Sequence, residues 1–450
     1  LTLFKHRASA GHSNYSGKTK LLAVGNEYKN PKTIQLSKGS VPDVTRANHV
    51  VGGDIIFDTS MNLTGIYIHI PFCRSRCSYC DFATGLYATD TAVRYVNALV
   101  AEIERCSFSR TPVDTIYFGG GTPSLLLPKQ VERILSAVAR VFCIEEKAEV
   151  TMEMNPGSAG ATAEQLGTQT TSQLRERLRE FRDLGVNRVS FGAQSFDDLE
   201  LARLGRSHDA GAIRKTFERL REAGFENISF DLIAGLPGQT LTAWTRNVME
   251  ALALRPEHLS FYLLEVHEGT PLAAHIKAGK QPQPDADLAA DMYELMLDRS
   301  TTAGYQHYEI SNLCLTGRQS RHNTKYWTGE PYLGFGCSAH SFDGKKGRWS
   351  NDRDVNRYVS LIEEGSSAVV ESQTLSEADR RAEAMFLGLR MMEGVDARIY
   401  KEHFGLDVRE EYREQFQLFS EAGLIEFTGD RIKLTRPGAL LSNEVFAAFV

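Results

Sequence analysis

The stretch PFCRSRCSYCDF, residues 71–82, sets Cys73, Cys77 and Cys80 within eight positions of a chain that holds seven cysteines in all. The spacing is C-x3-C-x2-C, and thiols this close together are suited to metal. A structural zinc ion takes four ligands, commonly as two pairs, and no second CxxC pair occurs in the chain. Thiolates also ligate iron–sulfur clusters, one per iron. Three of them on a four-iron cube leave one iron open to a further molecule. On these residues alone two other readings stay open: zinc completed by a distant histidine, and three cysteines that share no ligand. Phe72, Tyr79 and Phe82 flank the thiols and would shield a cluster from water.

Cysteine usage also bears on the compartment. Seven is an odd number, low for 450 residues, and three of the seven are clustered. Secreted disulfide scaffolds are small and cysteine-dense, so a reducing, cytoplasmic setting is expected. The isolated Cys106, Cys143, Cys314 and Cys337 read as packing residues. A net charge of −6 gives no bulk positive field for nucleic acid. No apolar run reaches the roughly 18–20 residues that a membrane span requires. Residues 1–60 are polar and poorly periodic, and Met61 stands just before the first convincing strand. They read as a disordered extension, a targeting peptide, or upstream sequence that is not native. A mitochondrial peptide should be rich in arginine, yet the first 26 residues hold one.

The elements that must position the thiols follow from periodicity. Short β-rich runs recur: GIYIHIP (65–71), DTIYFGGG (114–121), AEVTMEM (148–154), RVSFGAQ (188–194), NISFDLIAGLP (227–237) and HLSFYLLEV (258–266). Amphipathic stretches lie between them, with Val93, Val96, Leu99, Val100 and Ile103 at helical spacing in the first, then Val131, Ile134, Leu135 and Val138, then Leu174, Leu178, Phe181 and Leu184. Strand–helix alternation predicts parallel strands with helical crossovers. The expected fold is α/β, and six units suit a partial (β/α)6 barrel better than a closed eight-unit one. In such folds chemistry gathers in the loops after the strands. The cysteines follow the first strand, GGGTPS (119–124) the second, EMNPG (153–157) the third, Gln194 and Ser195 the fourth, and GLPGQT (235–240) the fifth. All should face one end.

Four regions are expected: the extension over 1–60, the partial barrel over 61–285, a connecting region over 286–375 with one helix and an irregular aromatic-rich stretch, and a winged-helix-like module over 376–450. Residues 157–173 read as a polar surface insertion.

C-x3-C-x2-C after a first strand resembles the radical S-adenosylmethionine (SAM) superfamily. The words IYIHIPFC, YFGGGTPS, GAQSF, LGRSH and DLIAGLPGQT are similar to oxygen-independent coproporphyrinogen III oxidases and, more closely, to the related haem-chaperone (HemW) branch. The likeness runs from about Thr64 to the C-terminus. It implies a four-iron, four-sulfur (4Fe-4S) cluster on Cys73, Cys77 and Cys80. SAM would chelate the open iron and be cleaved on reduction to methionine and a 5′-deoxyadenosyl radical. It further implies SAM contacts from Tyr67 and Tyr79, from Gly120, Gly121 and Thr122 through backbone amides, from Glu153 and Gln194, and from Arg206 and Asp231. Arg206 could pair a carboxylate. Asp231 sits in an apolar strand, where an unpaired carboxylate is costly. His69 reads equally as structural or catalytic.

Two departures separate the nearest relatives. The oxidase has a fourth cysteine two residues beyond the third, and here that position is Phe82. The segment RHNTKYW (321–327) contains H-N-x-x-Y-W, which resembles a haem-holding segment of the chaperone branch. His322 would be the axial ligand, with Tyr326 and Trp327 packed on the porphyrin. On the residues alone, the same segment reads as a packed aromatic corner. His340 is a weaker second ligand. The implied partners are haem, an apo-haem-protein acceptor and a flavodoxin- or ferredoxin-type electron donor. The alternative is decarboxylation of coproporphyrinogen III.

Overall fold

The computed structural model of the chain describes residues 63–156 and 171–450. The extension expected over 1–60 and most of the insertion expected over 157–173 lie outside the described residues.

Six parallel strands follow the chain in order: β1 (Thr64–Ile70), β2 (Pro112–Gly120), β3 (Cys143–Met154), β4 (Arg188–Gln194), β5 (Ile228–Ala234) and β6 (His258–Leu263). Helices cross between them: α1 (Thr89–Glu104), α2 (Pro128–Val141), α3 (Thr171–Asp183), α4 (Ala210–Glu222) and α5 (Leu241–Leu254). Period-2 alternation divides each strand between two environments. Ile66, Ile68, Ile116, Phe118, Met152, Val189, Phe191, Phe230 and Leu259 belong to one core cluster with Leu99, Ile134, Phe181, Ile213 and Trp244 of the helices. The residues between them in sequence are polar yet buried: His69, Thr115, Thr151, Arg188, Ser190, Ser229, His258 and Ser260. In α1 the buried face runs through Tyr95, Val96, Leu99 and Ile103. Val93 is 44% exposed, so the expected stripe is rotated slightly and Tyr95 takes its place.

The sheet does not end at residue 285. After α6 (Ala286–Thr302) come β7 (Gln306–Glu309), β8 (Asn312–Cys314), α7 (Arg321–Thr328), β9 (Tyr332–Phe335), β10 (His340–Phe342), β11 (Gly347–Asn351), α8 (Val355–Glu363) and β12 (Val369–Thr374). The complete order is β12-β11-β10-β9-β1-β2-β3-β4-β5-β6-β8-β7. β9 lies parallel beside β1, and β8 lies antiparallel beside β6. The expected irregular stretch therefore supplies strands to both edges of the barrel sheet. These strands are three to six residues long and too short to show a period. The sheet is open, with β12 and β7 at its ends.

Residues from about 377 have a core of their own, including Met385, Leu389, Val408, Phe416, Ile432 and Val445. A hairpin, Ile425–Thr428 with Arg431–Leu434, pairs with Val395–Asp396. Arg348–Glu383 and Arg390–Glu309 ion pairs join this module to the sheet region. No helix among the described residues is long and apolar enough to cross a membrane.

Candidate functional site

The cysteine loop leaves β1 at Ile70 and is fastened at many points. The Gly85 and Tyr87 amides donate to Pro71 and Cys73 carbonyls, Ser78 N–H donates to Leu204 O at 3.0 Å, and Leu272 N–H donates to Ser78 O at 2.9 Å. Arg353 donates to the Asp81 carbonyl. His69 bridges the strand to the loop: Nε2 donates to Ala83 O at 3.0 Å, and Nδ1 accepts from Tyr67 Oη at 3.0 Å. Burial lowers the His69 pKa to about 4, so the ring is neutral with both nitrogens occupied. Of the two roles open to His69, the geometry supports the structural one.

The three thiols are unpaired and partly buried. Thr122 Oγ1 lies 3.9 Å from Cys73 Sγ, and Arg206 Nη1 lies 3.3 Å from Cys77 Sγ. The Phe82 amide donates to Cys80. Burial pushes the Cys73 thiol up to about 11, so thiolate character there requires a bound metal to displace the proton. Cluster thiolates each meet a separate iron. Three sulfurs, each with a donor aimed at it, fit the cluster.

The glycine loop departs from expectation. The amides of Gly121 and Thr122 donate to Ile70 O and Phe72 O, both at 2.8 Å, and the Gly120 amide donates to Glu153 Oε2 at 3.0 Å. None of these three N–H groups is free for a ligand carboxylate. What the glycines supply is closeness: Gly120 has φ +112°, and a Cβ on Gly121 would stand 2.6 Å from Phe72 O. They let the loop seat the strand that carries the cysteines.

Arg206 also differs. Rather than a carboxylate, its guanidinium meets Cys77, Asn155 Oδ1 at 2.7 Å and the Gly192 carbonyl at 2.7 Å. It ties the cysteine loop to the ends of β3 and β4. Gln194 ends β4 with φ +66°, a conformation that costs a non-glycine residue about 1–3 kcal/mol and marks strain at a strand end. Its side chain folds back over Gly192. Tyr79 packs against Leu204, Ile233 and Leu236.

Two carboxylates face the interior. Glu153 accepts from Tyr117 Oη at 2.8 Å, and burial raises its pKa to about 7. Asp231 lies 3.3 Å from Ser190 Oγ, accepts also from Ser260, and is likewise raised by burial. Both carboxyls thus have only neutral direct partners. Sequence reasoning passed over Tyr117, Asn155 and Arg188. Their signal was present: each stands on or just after a strand already identified.

Of the haem candidates, His322 and Tyr326 pack over the same inner face. His322 is 1% exposed and stacks on Tyr117, with ring centroids 5.2 Å apart. Its Nδ1 is 2.8 Å from Thr115 Oγ1 and its Nε2 is 2.9 Å from Tyr326 Oη. Burial lowers its pKa to about 3. Tyr326 meets Tyr332 edge-on, whereas Trp327 is covered by the Arg390 guanidinium at 4.3 Å. The arrangement is the packed aromatic corner, with no imidazole lone pair exposed. His340, on β10, is half-buried.

A partial barrel with a three-cysteine loop at the C-terminal end of its first strand defines the radical SAM class. Residues 67–246 match the model of the Radical SAM superfamily, and 375–441 match that of the HemN C-terminal domain. The chain is 36% identical to the heme chaperone HemW of Bacillus subtilis (strain 168), over 85% of this chain and 98% of that one. It is 34% identical to radical S-adenosyl methionine domain-containing protein 1, mitochondrial, of Mus musculus, over 75% of each. Its fold is similar to that of the Escherichia coli radical SAM enzyme coproporphyrinogen III oxidase (HemN), with TM-score 0.73, 23% identity and coverage of 86% and 90%. The chain belongs to the HemW-like family of radical SAM proteins.

Proposed function

We propose that the chain is a radical SAM haem chaperone. It would hold a 4Fe-4S cluster on Cys73, Cys77 and Cys80, bind SAM at the open end of the sheet, and pass haem to an apo-protein acceptor. The observation that carries the cluster reading is the meeting of three separate donors, Thr122, Arg206 and the Phe82 amide, with the three sulfurs. When bound, the cluster supplies an electron to SAM. The chain's own part is to hold the cysteine loop through His69, Arg206 and Arg353, and to offer Glu153 and Asp231 to a cationic ligand. A flavodoxin- or ferredoxin-type protein would supply the electron, and the proposed setting is the cytoplasm. Phe82 at the position of the oxidase's fourth cysteine, together with the HemW relatives, supports the chaperone over the decarboxylase.

His322 is our proposal for the axial ligand, with one condition. Its nitrogen can reach iron only after leaving Tyr326 or Thr115, so haem capture there requires α7 to shift. Haemin mixed with anaerobically reconstituted protein should give a Soret band that His322→Ala weakens. Equal binding by the variant would reject the ligand. Conversion of coproporphyrinogen III by the same material would establish the decarboxylase instead; none is expected.

A further inference from the structure

Arg188 opens β4 and is 1% exposed. It stands in register with Thr151 of β3, on the polar inner face and two residues before Ser190. Its Nε and Nη1 are buried and meet no hydrogen-bond partner among the described residues. A buried guanidinium without compensation is unfavourable, so its charge must be balanced within the interior. Glu153 on β3 and Asp231 on β5 lie further along the same inner face on the two neighbouring strands, in register with Ser190 and Gly192 of β4. Each of these carboxyls has only neutral donors in direct contact: Tyr117 and Gly120 for Glu153, Ser190 and Ser260 for Asp231.

We propose that Arg188 is a positioning residue, the shared internal cation that keeps Glu153 and Asp231 ionised for a cationic ligand. A guanidinium bonded directly to them would occupy the oxygens that a ligand's ammonium or sulfonium needs. Set back from both, it acts through the weakly screening interior instead. The ligand reading rests on SAM binding at this end of the sheet.

Burial raises both carboxyls, and Arg188 opposes that rise in each. The other charged or titratable groups facing Glu153 are Tyr67, Tyr117, Tyr262, Tyr326 and Asp231 itself. Asp231 also feels Arg206, but Arg206 is committed to Cys77, Asn155 and Gly192. Around Arg188 stand His258, Tyr308, Cys314 and His322, and the two histidines are held neutral by burial. Arg188 is thus the cation left to serve both carboxylates.

Infrared titration of the full chain follows the protonated-carboxyl band with pH and needs no cofactor. In Arg188→Met the midpoint should rise by about one pH unit, and Arg188→Lys should recover most of the shift. After reconstitution, SAM affinity of Arg188→Met should fall about tenfold at neutral pH, with the gap closing in alkali. An unchanged titration, or an affinity loss equal at every pH, would overturn the proposal. If Arg188→Met fails to fold, the Glu153→Gln/Asp231→Asn background should rescue it, because a neutral site needs no counter-cation. Lack of rescue also overturns it. Should the parent bind no SAM, the ligand reading fails while the infrared shift still decides the role of Arg188.

Discussion

Phe230 and Asp231 are adjacent on β5 and serve opposite faces of one sheet. Phe230 is fully buried and touches Phe191, Phe196 and Phe217, with ring centroids 4.6, 6.2 and 5.4 Å away. Asp231 lies among Ser190, Ser260 and the field of Arg188. Parallel sheets covered on both sides ordinarily carry near-continuous aliphatic runs. Here only the helix-covered face follows that rule. The inner face buries arginine, histidine and carboxylates, each of which stabilises less than a well-packed hydrophobe. Stability therefore resides on one face and the recognition we propose on the other, one residue apart along the chain.

That division makes a sharp pair of variants. Phe230→Ala should cost about 3–5 kcal/mol, read as a lowered denaturation midpoint, through lost burial and a residual cavity. Asp231→Asn should lower the midpoint by less than this, because Glu153 is left to balance Arg188, while SAM binding weakens. Should Asp231→Asn destabilise as strongly as Phe230→Ala, the inner face is structural and the contrast fails.

A smaller effect sharpens the same contrast through pH. The Glu153 carboxyl moves from 4.5 to about 7 on burial, so between these values the folded chain holds a proton that the unfolded chain releases. Stability from this group is full below about 4.5 and is lost as pH rises through about 7. Glu153→Gln should flatten that part of the stability–pH curve. An unchanged slope would mean that Glu153 is solvated and ionised throughout.

How much of this was legible in the sequence follows from the same division. β1 to β6 read clearly because each is six residues or longer and has a fully buried aliphatic set. β8 and β9 did not, being a three-residue NLC and a four-residue YLGF whose places are fixed by pairing with β6 and β1. The cysteine spacing pointed to a metal or cluster site, but not to Arg206 meeting Cys77 across 129 positions. His322 shows the limit best. Its neighbours in sequence pointed to haem, while its closing partner Thr115 lies 207 positions away. Arg188 was passed over where Asp231 was noticed, although both are charged residues in buried strands.

The smallest expected effect tests the open corner of the cluster. Cys143 is exposed at the start of β3, pairs with Pro112 on β2, and lies at the opposite end of the strand from Glu153. Cys106 follows α1, beyond the end of the strand register that leads to the cysteine loop. Neither residue can approach the loop after β1 without dismantling the sheet. Cys143→Ser should change stability by no more than about 0.5 kcal/mol and leave the reconstituted iron content as it was. Cys106→Ser, partly buried, should likewise keep its iron. Iron lost from either variant would mean a fourth protein thiolate on the cluster. No iron would then be free for SAM, and the polar inner face would need another ligand to account for it.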